Sequence, residues 1–221
     1  MENDLLIPSF RSSIFEVGGD IGTEFLELGI DQLIDNEIIK AIPVVTSIVK
    51  IGKGLIGIKE RHLIKKLLLF INKVNDGEVD TEKLIQHSKE LKENPEKLYK
   101  ELEYLLIVID RQLELDKTKV LAKFYLSYID QLIDWDDFLY LSDILERFVL
   151  SDVILLQDIF EKEIYTENNG FDIPMMCRLN SLGLVQYFSG MKVSSDKLSK
   201  GSKTANITHL GKAFYELGFQ G

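Results

Sequence analysis

Three aspartates are spaced so that one helix could carry their carboxylates on the same face, because Asp130, Asp134 and Asp137 lie at i, i+4 and i+7. Such a face could collect Mg²⁺ or a basic partner. Trp135 and the further carboxylate of Asp136 instead indicate that one helix ends here and that Asp136 or Asp137 caps the next. We therefore predict capping and solvated aspartates at this point, and no metal site.

Histidine and cysteine are sparse and scattered. His62, His87 and His209 lie on three separate predicted elements, and none has a second histidine or cysteine at i+3 or i+4, so a zinc helix is not indicated. The single cysteine, Cys177, neighbours the apolar face of its predicted helix, which favours a buried thiol over a nucleophile. One cysteine excludes a disulfide within the chain and fits a reducing compartment.

Glycine-rich stretches that could cradle a phosphate do not have the required spacing. Gly52-Lys53-Gly54 lacks the upstream glycine of a Walker loop, where Ser47 stands, and Gly54 replaces the Ser or Thr that follows the lysine. The glycines between residues 18 and 22 lack dinucleotide-binding spacing and follow no predicted strand. We therefore predict a non-enzymatic protein with no catalytic, cofactor-binding or metal-ligating residue, and no small-molecule substrate is implied.

An amphipathic helix with a cationic side is predicted over residues 43–58. Val44, Ile48, Ile51, Leu55 and Ile58 recur at helical spacing after Pro43. Glycine inside a helix costs about 1 kcal/mol relative to alanine, so the three glycines here require a reason. Close packing in a core is the favoured reason, and an interfacial membrane helix is the alternative. The residues that would contact a membrane or partner are Lys50, Gly52, Lys53, Gly54 and Gly57.

The pattern of apolar residues up to residue 164 indicates amphipathic helices joined by short connections. This arrangement predicts a mainly α fold. The predicted helices cover about residues 22–34, 61–74, 80–91, 95–109, 116–132, 138–150 and 152–164. Lys65, Lys66 and Lys73 are expected on the solvent side of the second of these, and Asp116 is expected to cap the fifth. We predict three regions: an N-terminal amphipathic, glycine-containing segment at 1–36, a helical domain at 37–135 and a smaller domain at 136–221.

The last fifty residues have a different pattern, of helix, strand, hairpin, strand and helix. Asp172 and Pro174 begin a helix that ends at Gly183 in a left-handed conformation. Residues 184–188 and 205–207 have strand character, and Gly190 and Gly201 are expected in turns of the polar stretch between them. Thr208 is expected to cap the last helix.

The residues RLNSLGLV and ITHLGKAF in this region resemble the ends of bacterial winged-helix modules, over roughly the last third of the chain. The resemblance implies a winged-helix-like C-terminal α+β domain. Such a domain could grip DNA through Arg178 on the recognition helix and through the wing lysines Lys192, Lys197, Lys200 and Lys203. Residues 171–221 carry a net charge of +3, whereas the whole chain carries −10. The acidic residues 1–170 would therefore repel a DNA duplex, and this repulsion favours protein contact over DNA binding.

A second resemblance covers most of residues 25–150. The pattern Ile42-Pro43-Val44-Val45, Gly52-Lys53 and Lys65-Lys66-Leu67-Leu68 before Phe70 is similar to a group of uncharacterised bacterial helical proteins with winged-helix-like ends. Some of those proteins are associated with phage defence. The resemblance implies an intracellular bacterial or phage-related origin and an abortive-infection role, without any residue-level function.

These observations together predict an interaction protein. A protein partner or a second copy is the expected ligand, a membrane surface could be contacted through residues 43–58, and a winged-helix DNA-binding transcriptional regulator is the alternative. The first residues lack the pattern of a signal peptide, and no run of 18 apolar residues occurs. We expect a cytoplasmic protein, with membrane association only through the amphipathic helix.

Overall fold

The computed structural model of the chain describes residues 5–16, 32, 36–52, 57–76, 80–162, 165–166, 172–194 and 197–220. The described residues are mainly helical and include one small antiparallel sheet of three strands, which confirms the predicted mainly α class. The chain divides into two compact units, Met1–Phe138 and Leu139–Gly221, and the division falls within one helix.

Most of the helices follow the predicted amphipathic segments with shifted ends. They are α1 (Leu6–Phe15), α2 (Glu37–Ala41), α3 (Pro43–Ile51), α4 (Ile58–Val74), α5 (Thr81–Glu93), α6 (Pro95–Arg111), α7 (Leu115–Ile129), α8 (Trp135–Arg147), α9 (Val153–Lys162), α10 (Ile173–Ser181) and α11 (His209–Phe219). A short 3₁₀ turn, Leu150–Asp152, precedes α9. The strands are β1 (Tyr165–Thr166), β2 (Val185–Ser194) and β3 (Lys197–Ile207).

Polar side chains begin several helices by accepting the backbone N–H groups of the first turn. Asp80 accepts from the Glu82 N–H at the start of α5, and Asn94 accepts from the Lys97 N–H at the start of α6. The prediction for Asp116 was wrong, because α7 begins one residue earlier, at Leu115, and Asp116 lies within its first turn.

The aspartate-rich stretch is a helix boundary, as the capping interpretation predicted. Helix α7 ends at Ile129, and α8 begins at Trp135. The cap is Asp134, and not Asp136 or Asp137: its Oδ1 accepts from the Asp137 N–H at 2.8 Å. The Asp137 Oδ2 in turn accepts from the Asp134 N–H at 3.3 Å. This reciprocal pair is a capping box, which uses the carboxylates for helix initiation.

The core of the N-terminal unit lies around α4 and α7. The ring of Phe70 on α4 contacts Phe10 of α1 and Tyr125 of α7, with centroids 6.3 and 5.7 Å apart. Phe10 and Ile14 are fully buried, so α1, which the sequence analysis did not predict, belongs to this core. The helix that was predicted over residues 22–34 lies outside the described residues except for Gln32.

Lys66 is buried on α4, although the helical pattern predicted that it faces solvent. Its side chain is 2% exposed, and its ammonium donates to the carbonyl oxygens of Asp110 and Gln112 at the end of α6. These carbonyls lack partners within their own helix, so the lysine caps its C-terminus. Burial lowers the pKa of Lys66 against the opposing effect of the Asp110 carboxylate. The amphipathic pattern cannot reveal such a cap, because its partners lie forty-four and more residues away.

The C-terminal unit contains the sheet, in the strand order β1-β3-β2. Val185 pairs with Ile207 at one end of the hairpin and Ser194 pairs with Lys197 at the other. The prediction of two short strands was therefore wrong, and Gly190 and Gly201 lie within strands and not in turns. Hairpin pairing uses backbone groups, so polar residues can extend it without an apolar pattern. The two-residue β1 was missed because its length is too short for alternation to show.

The junction between α10, β2 and α11 explains the spacing of the Leu-Gly-Leu and Ile-Thr-x-x-Gly residues. Gly183 has φ of +73°, as predicted for its left-handed position. Thr208 caps α11 by accepting from the Gly211 N–H at 2.9 Å, and its own N–H donates to Leu184 O at 3.0 Å. A Cβ on Gly211 would lie 2.9 Å from the Leu184 carbonyl carbon, and closer still to its oxygen. Glycine is therefore required where α11 crosses the start of β2.

Among the described residues, no helix has both the length and the apolar composition needed to cross a membrane.

Candidate functional site

Arg178, the residue predicted to read DNA bases, is bound to a carboxylate of its own unit. Its Nε and Nη2 donate to the two oxygens of Asp152, at 2.7 and 2.6 Å. Asp152 is 1% exposed, whereas the Arg178 side chain is 42% exposed. These hydrogen bonds raise the pKa of Arg178. A two-point fork of this kind fixes the guanidinium plane, so Arg178 joins α10 to the 3₁₀ turn before α9.

The first part of α10 has an exposed surface that is apolar and carries a thiol, whereas Asn180 and Ser181 at its end are exposed polar residues. Ile173 is 43% exposed, Pro174 is exposed and Cys177 is exposed, while Met176 and Leu179 are buried on the other side. The expectation of a buried Cys177 thiol was wrong, because Met176 and Leu179 alone occupy the inward side of this short helix. The helix begins as predicted, with Asp172 accepting from the Met175 N–H at 2.9 Å and Pro174 in the first turn.

The predicted wing lysines all lie on one hairpin. Lys192 is on β2, and Lys197, Lys200 and Lys203 are on β3. The register places Lys192 opposite Ser199, and Lys200 opposite Met191. The backbone therefore brings four lysine positions onto two paired strands, on a different element from Arg178.

The predicted continuous helix over residues 43–58 was wrong. Helix α3 ends at Ile51, with Gly52 as its C-cap, and α4 begins after Gly57. Val44 and Ile48 are buried, but Ile58 is 82% exposed, so the apolar positions do not form one face. Lys50 is exposed, and Lys53 and Gly54 lie outside the described residues.

Helix α3 packs on α1, which favours the core interpretation of its apolar residues. The Val44 N–H donates to the Ser13 hydroxyl at 3.0 Å, and the hydroxyls of Ser9 and Ser47 are 2.7 Å apart. A membrane could meet the apolar side of α3 only after these contacts had broken.

The N-terminal unit also contains a buried polar cluster that the sequence analysis did not find. His87 Nε2 on α5 lies 2.6 Å from Glu101 Oε1 on α6. The same carboxylate accepts hydrogen bonds from the phenols of Tyr125, at 2.7 Å, and Tyr128, at 3.3 Å, both on α7. Burial, reinforced by the Glu101 charge, raises the pKa of both phenols, which therefore remain donors. The cluster is a network in which its members satisfy one another.

An open cavity of about 360 Å³, which we call the α6 groove, lies over this cluster. A second cavity of about 150 Å³ adjoins it and shares Lys97 and Tyr128. The α6 groove is lined by Asn94, Glu96, Lys97, Lys100, Glu101, Tyr128 and Trp135. Trp135 and Tyr128 form its aromatic part, with ring centroids 5.2 Å apart.

A weak signal of this cluster was present in the sequence. Glu101 falls on the same helical stripe as Leu98, Leu102 and Leu105, and His87 shares a stripe with Leu91. A charged residue on an apolar stripe indicates a buried partner. The identity of the partners could not be read, because they come from three helices.

The other two histidines lie on separate helices, α4 and α11. His62 Nε2 lies 3.3 Å from the Leu113 carbonyl oxygen, and His209 is exposed in the first turn of α11. In the described part of the chain, no group of three His, Cys, Asp or Glu side chains is placed to hold a metal ion.

Comparisons with known proteins gave no relative from which a role could be transferred: no family model matches this sequence, and no match was found among curated proteins or solved structures.

Proposed function

We propose that this protein works by macromolecular contact and not by catalysis, and that its C-terminal unit is a winged-helix-like module. The order α8, α9, β1, α10, hairpin β2–β3 supports this module, as does the placement of β3 between β1 and β2. In such a module α10 occupies the position of the recognition helix and the hairpin that of the wing. Because this fold serves many functions, the surface of α10 must indicate the ligand.

The observation that carries the proposal is the engagement of Arg178 by Asp152. Arg178 is the one cation in the sequence of α10, and a buried carboxylate holds the Nε–Nη2 edge of its guanidinium. The exposed residues beside it, Ile173 and Cys177, offer apolar surface and a thiol, with no charge for phosphates. DNA readout depends on cations and hydrogen-bond donors at such a helix, whereas protein contact favours apolar anchors. We therefore assign α10 to protein contact, with a second copy or another protein as the ligand.

Cys177 allows a direct test, because it is the single cysteine and is exposed on α10. A benzophenone maleimide on Cys177 is expected to form a covalent protein adduct on irradiation, in the purified protein or in lysate. Ile173→Asp should abolish this adduct, since it places a charge in the apolar contact. The matched control Ile154→Asp, at another exposed isoleucine of the same unit, should leave the adduct unchanged.

The protein-contact proposal fails if labelled Cys177 forms no protein adduct, if nucleic acid alone is cross-linked, or if the two aspartate variants behave alike. Circular dichroism of both variants distinguishes loss of contact from loss of fold.

DNA binding through the hairpin is the second candidate, and the four lysine positions on β2 and β3 favour it. A gel shift on genomic fragments should then weaken with salt, with a slope of about −0.9 per phosphate neutralised. Lys197→Ala and Lys200→Ala should each reduce that slope by about 1, whereas Lys212→Ala on α11 should not. Salt-independent binding, or no effect of the two hairpin variants, would exclude this candidate. The phage-defence role stays a prediction from resemblance.

A further inference from the structure

The α6 groove lies within the N-terminal unit and combines aromatic rings, a carboxylate and two lysines. We propose that the α6 groove binds a mononucleotide whose base carries an exocyclic amino group. The proposal rests on this groove alone, so it does not depend on the function proposed for the C-terminal module.

The aromatic part of the groove suits a planar base. Trp135 and Tyr128 are half-buried and line the cavity. Other rings support Trp135 from the protein side, with Phe138 and Tyr104 at centroid distances of 5.1 and 5.7 Å. A ring held in this way presents a fixed face, and bases stack on such faces whatever their sequence identity.

The floor of the groove can accept a hydrogen bond from an amino group. Glu101 lines the cavity although its side chain is only 3% exposed. Its Oε1 already has Tyr125 and His87 as close partners, at 2.7 and 2.6 Å. Its Oε2 has the longer bond from Tyr128, at 3.3 Å, and a carboxylate oxygen has a second acceptor site. An adenine or cytosine amino group provides the matching donor.

The rim of the groove can hold the phosphate. Lys97 and Lys100 line it, together with Asn94 at the N-terminus of the 17-residue helix α6. Two ammonium groups favour an anion. The N-terminus of α6 adds little, because Pro95 has no N–H and the Asn94 side chain already accepts from the Lys97 N–H. The acidic neighbours are Glu96, which also lines the groove, and Glu90, which lies 3.3 Å from Lys97. A phosphate would displace Glu90 from Lys97. The volume of about 360 Å³ lies within the usual range of small-molecule sites.

The single tryptophan of the chain lies in this groove, so its fluorescence reports binding directly. Titration with AMP, excited on the red side of the tryptophan band, should give saturable quenching. Adenosine, which lacks the phosphate, and IMP, which lacks the amino group, should each bind about tenfold more weakly. Ribose 5-phosphate, which lacks the base, should not quench.

Two variants test the assignment of the contacts. Lys100→Gln should weaken AMP about tenfold and leave adenosine unchanged, while Lys119→Gln, at an exposed lysine outside the groove, should change neither. Glu101→Gln should reduce the preference for AMP over IMP. If that variant does not fold, the comparison of AMP with IMP on the wild-type chain tests the same contact. Absence of saturable quenching by AMP, equal affinity for AMP and IMP, or unchanged AMP affinity in Lys100→Gln would overturn the proposal.

Discussion

Replacing Gly211 with alanine should destabilise the C-terminal unit by about 2 kcal/mol, through one backbone contact. The new methyl group would lie 2.9 Å from both the Leu184 carbonyl carbon and Ile207 Cγ1, well inside van der Waals contact. Overpacking of this kind costs about 1–3 kcal/mol. Moving α11 away would also weaken the bond from the Thr208 N–H to Leu184 O, now 3.0 Å, which contributes about 1 kcal/mol. The higher helix propensity of alanine relative to glycine offsets up to about 1 kcal/mol of this destabilisation.

Urea unfolding followed by circular dichroism measures the free energy of unfolding, and hydrogen exchange read by mass spectrometry locates the change. Faster exchange should concentrate in β2 and α11, because both meet at Leu184. Lys212→Ala is the matched control: the residue is adjacent, on the same helix, and exposed, so its effect should stay within about 0.5 kcal/mol. A Gly211→Ala protein as stable as the wild type would refute the reasoning, since it would mean that α11 does not approach Leu184 so closely.

Three further contacts can be tested by substitution. Asp152→Asn should destabilise the C-terminal unit by about 1–2 kcal/mol. Arg178→Ala should destabilise it more, because the arginine variant leaves the buried Asp152 carboxylate without its cation. Urea unfolding measures the order of the two effects, and the reverse order would contradict the ion pair. Lys66→Met should lower the free energy of unfolding by about 2 kcal/mol, because it removes the donor to two carbonyls at the end of α6. The control Lys59→Met should have almost no effect in the same assay. Equal effects of the two variants would contradict the capping role of Lys66. Hydrogen bonds lower the pKa of Glu16 to about 2, so its contribution is present above its ordinary 4.5 and lost as the pH falls from there toward 2. Since the Glu16 side chain is 44% exposed, Glu16→Gln should lower the stability by less than about 1 kcal/mol at neutral pH and should have no effect near pH 2. Thermal unfolding at the two pH values measures this difference. A loss of stability that persists at pH 2 would contradict an origin in the charged carboxylate.

Helix ends were the best predicted features, because their signals are local. Asp172 caps α10 and Thr208 caps α11, and Gly183 adopts the left-handed conformation that its position required. Each of these depends on residues within about four positions along the chain. The length of the hairpin was not predicted, since its strands pair through the backbone and carry polar residues that give no alternating pattern.

The candidate sites were predicted less well, because they depend on partners that are distant in sequence. Arg178 was recognised as the one cation of its helix, but its ion pair with Asp152 spans 26 residues and could not be read from spacing. The cluster on Glu101 was missed for the same reason, since its partners lie on α5 and α7. In both cases the partner of the charged group lies on another element, so the helical pattern alone could not reveal the contact.

The sequence by itself determined that the chain is mainly helical, where most of its helices begin, and that its motifs do not match those of the common catalytic sites. These properties follow from side-chain periodicity, capping residues and spacing, which act over one or two helical turns. Only the tertiary structure decided which charges are buried, because burial depends on the helices that pack against a residue. That is why Lys66 and Glu101 were found in the interior, beneath the end of α6 and beneath its groove.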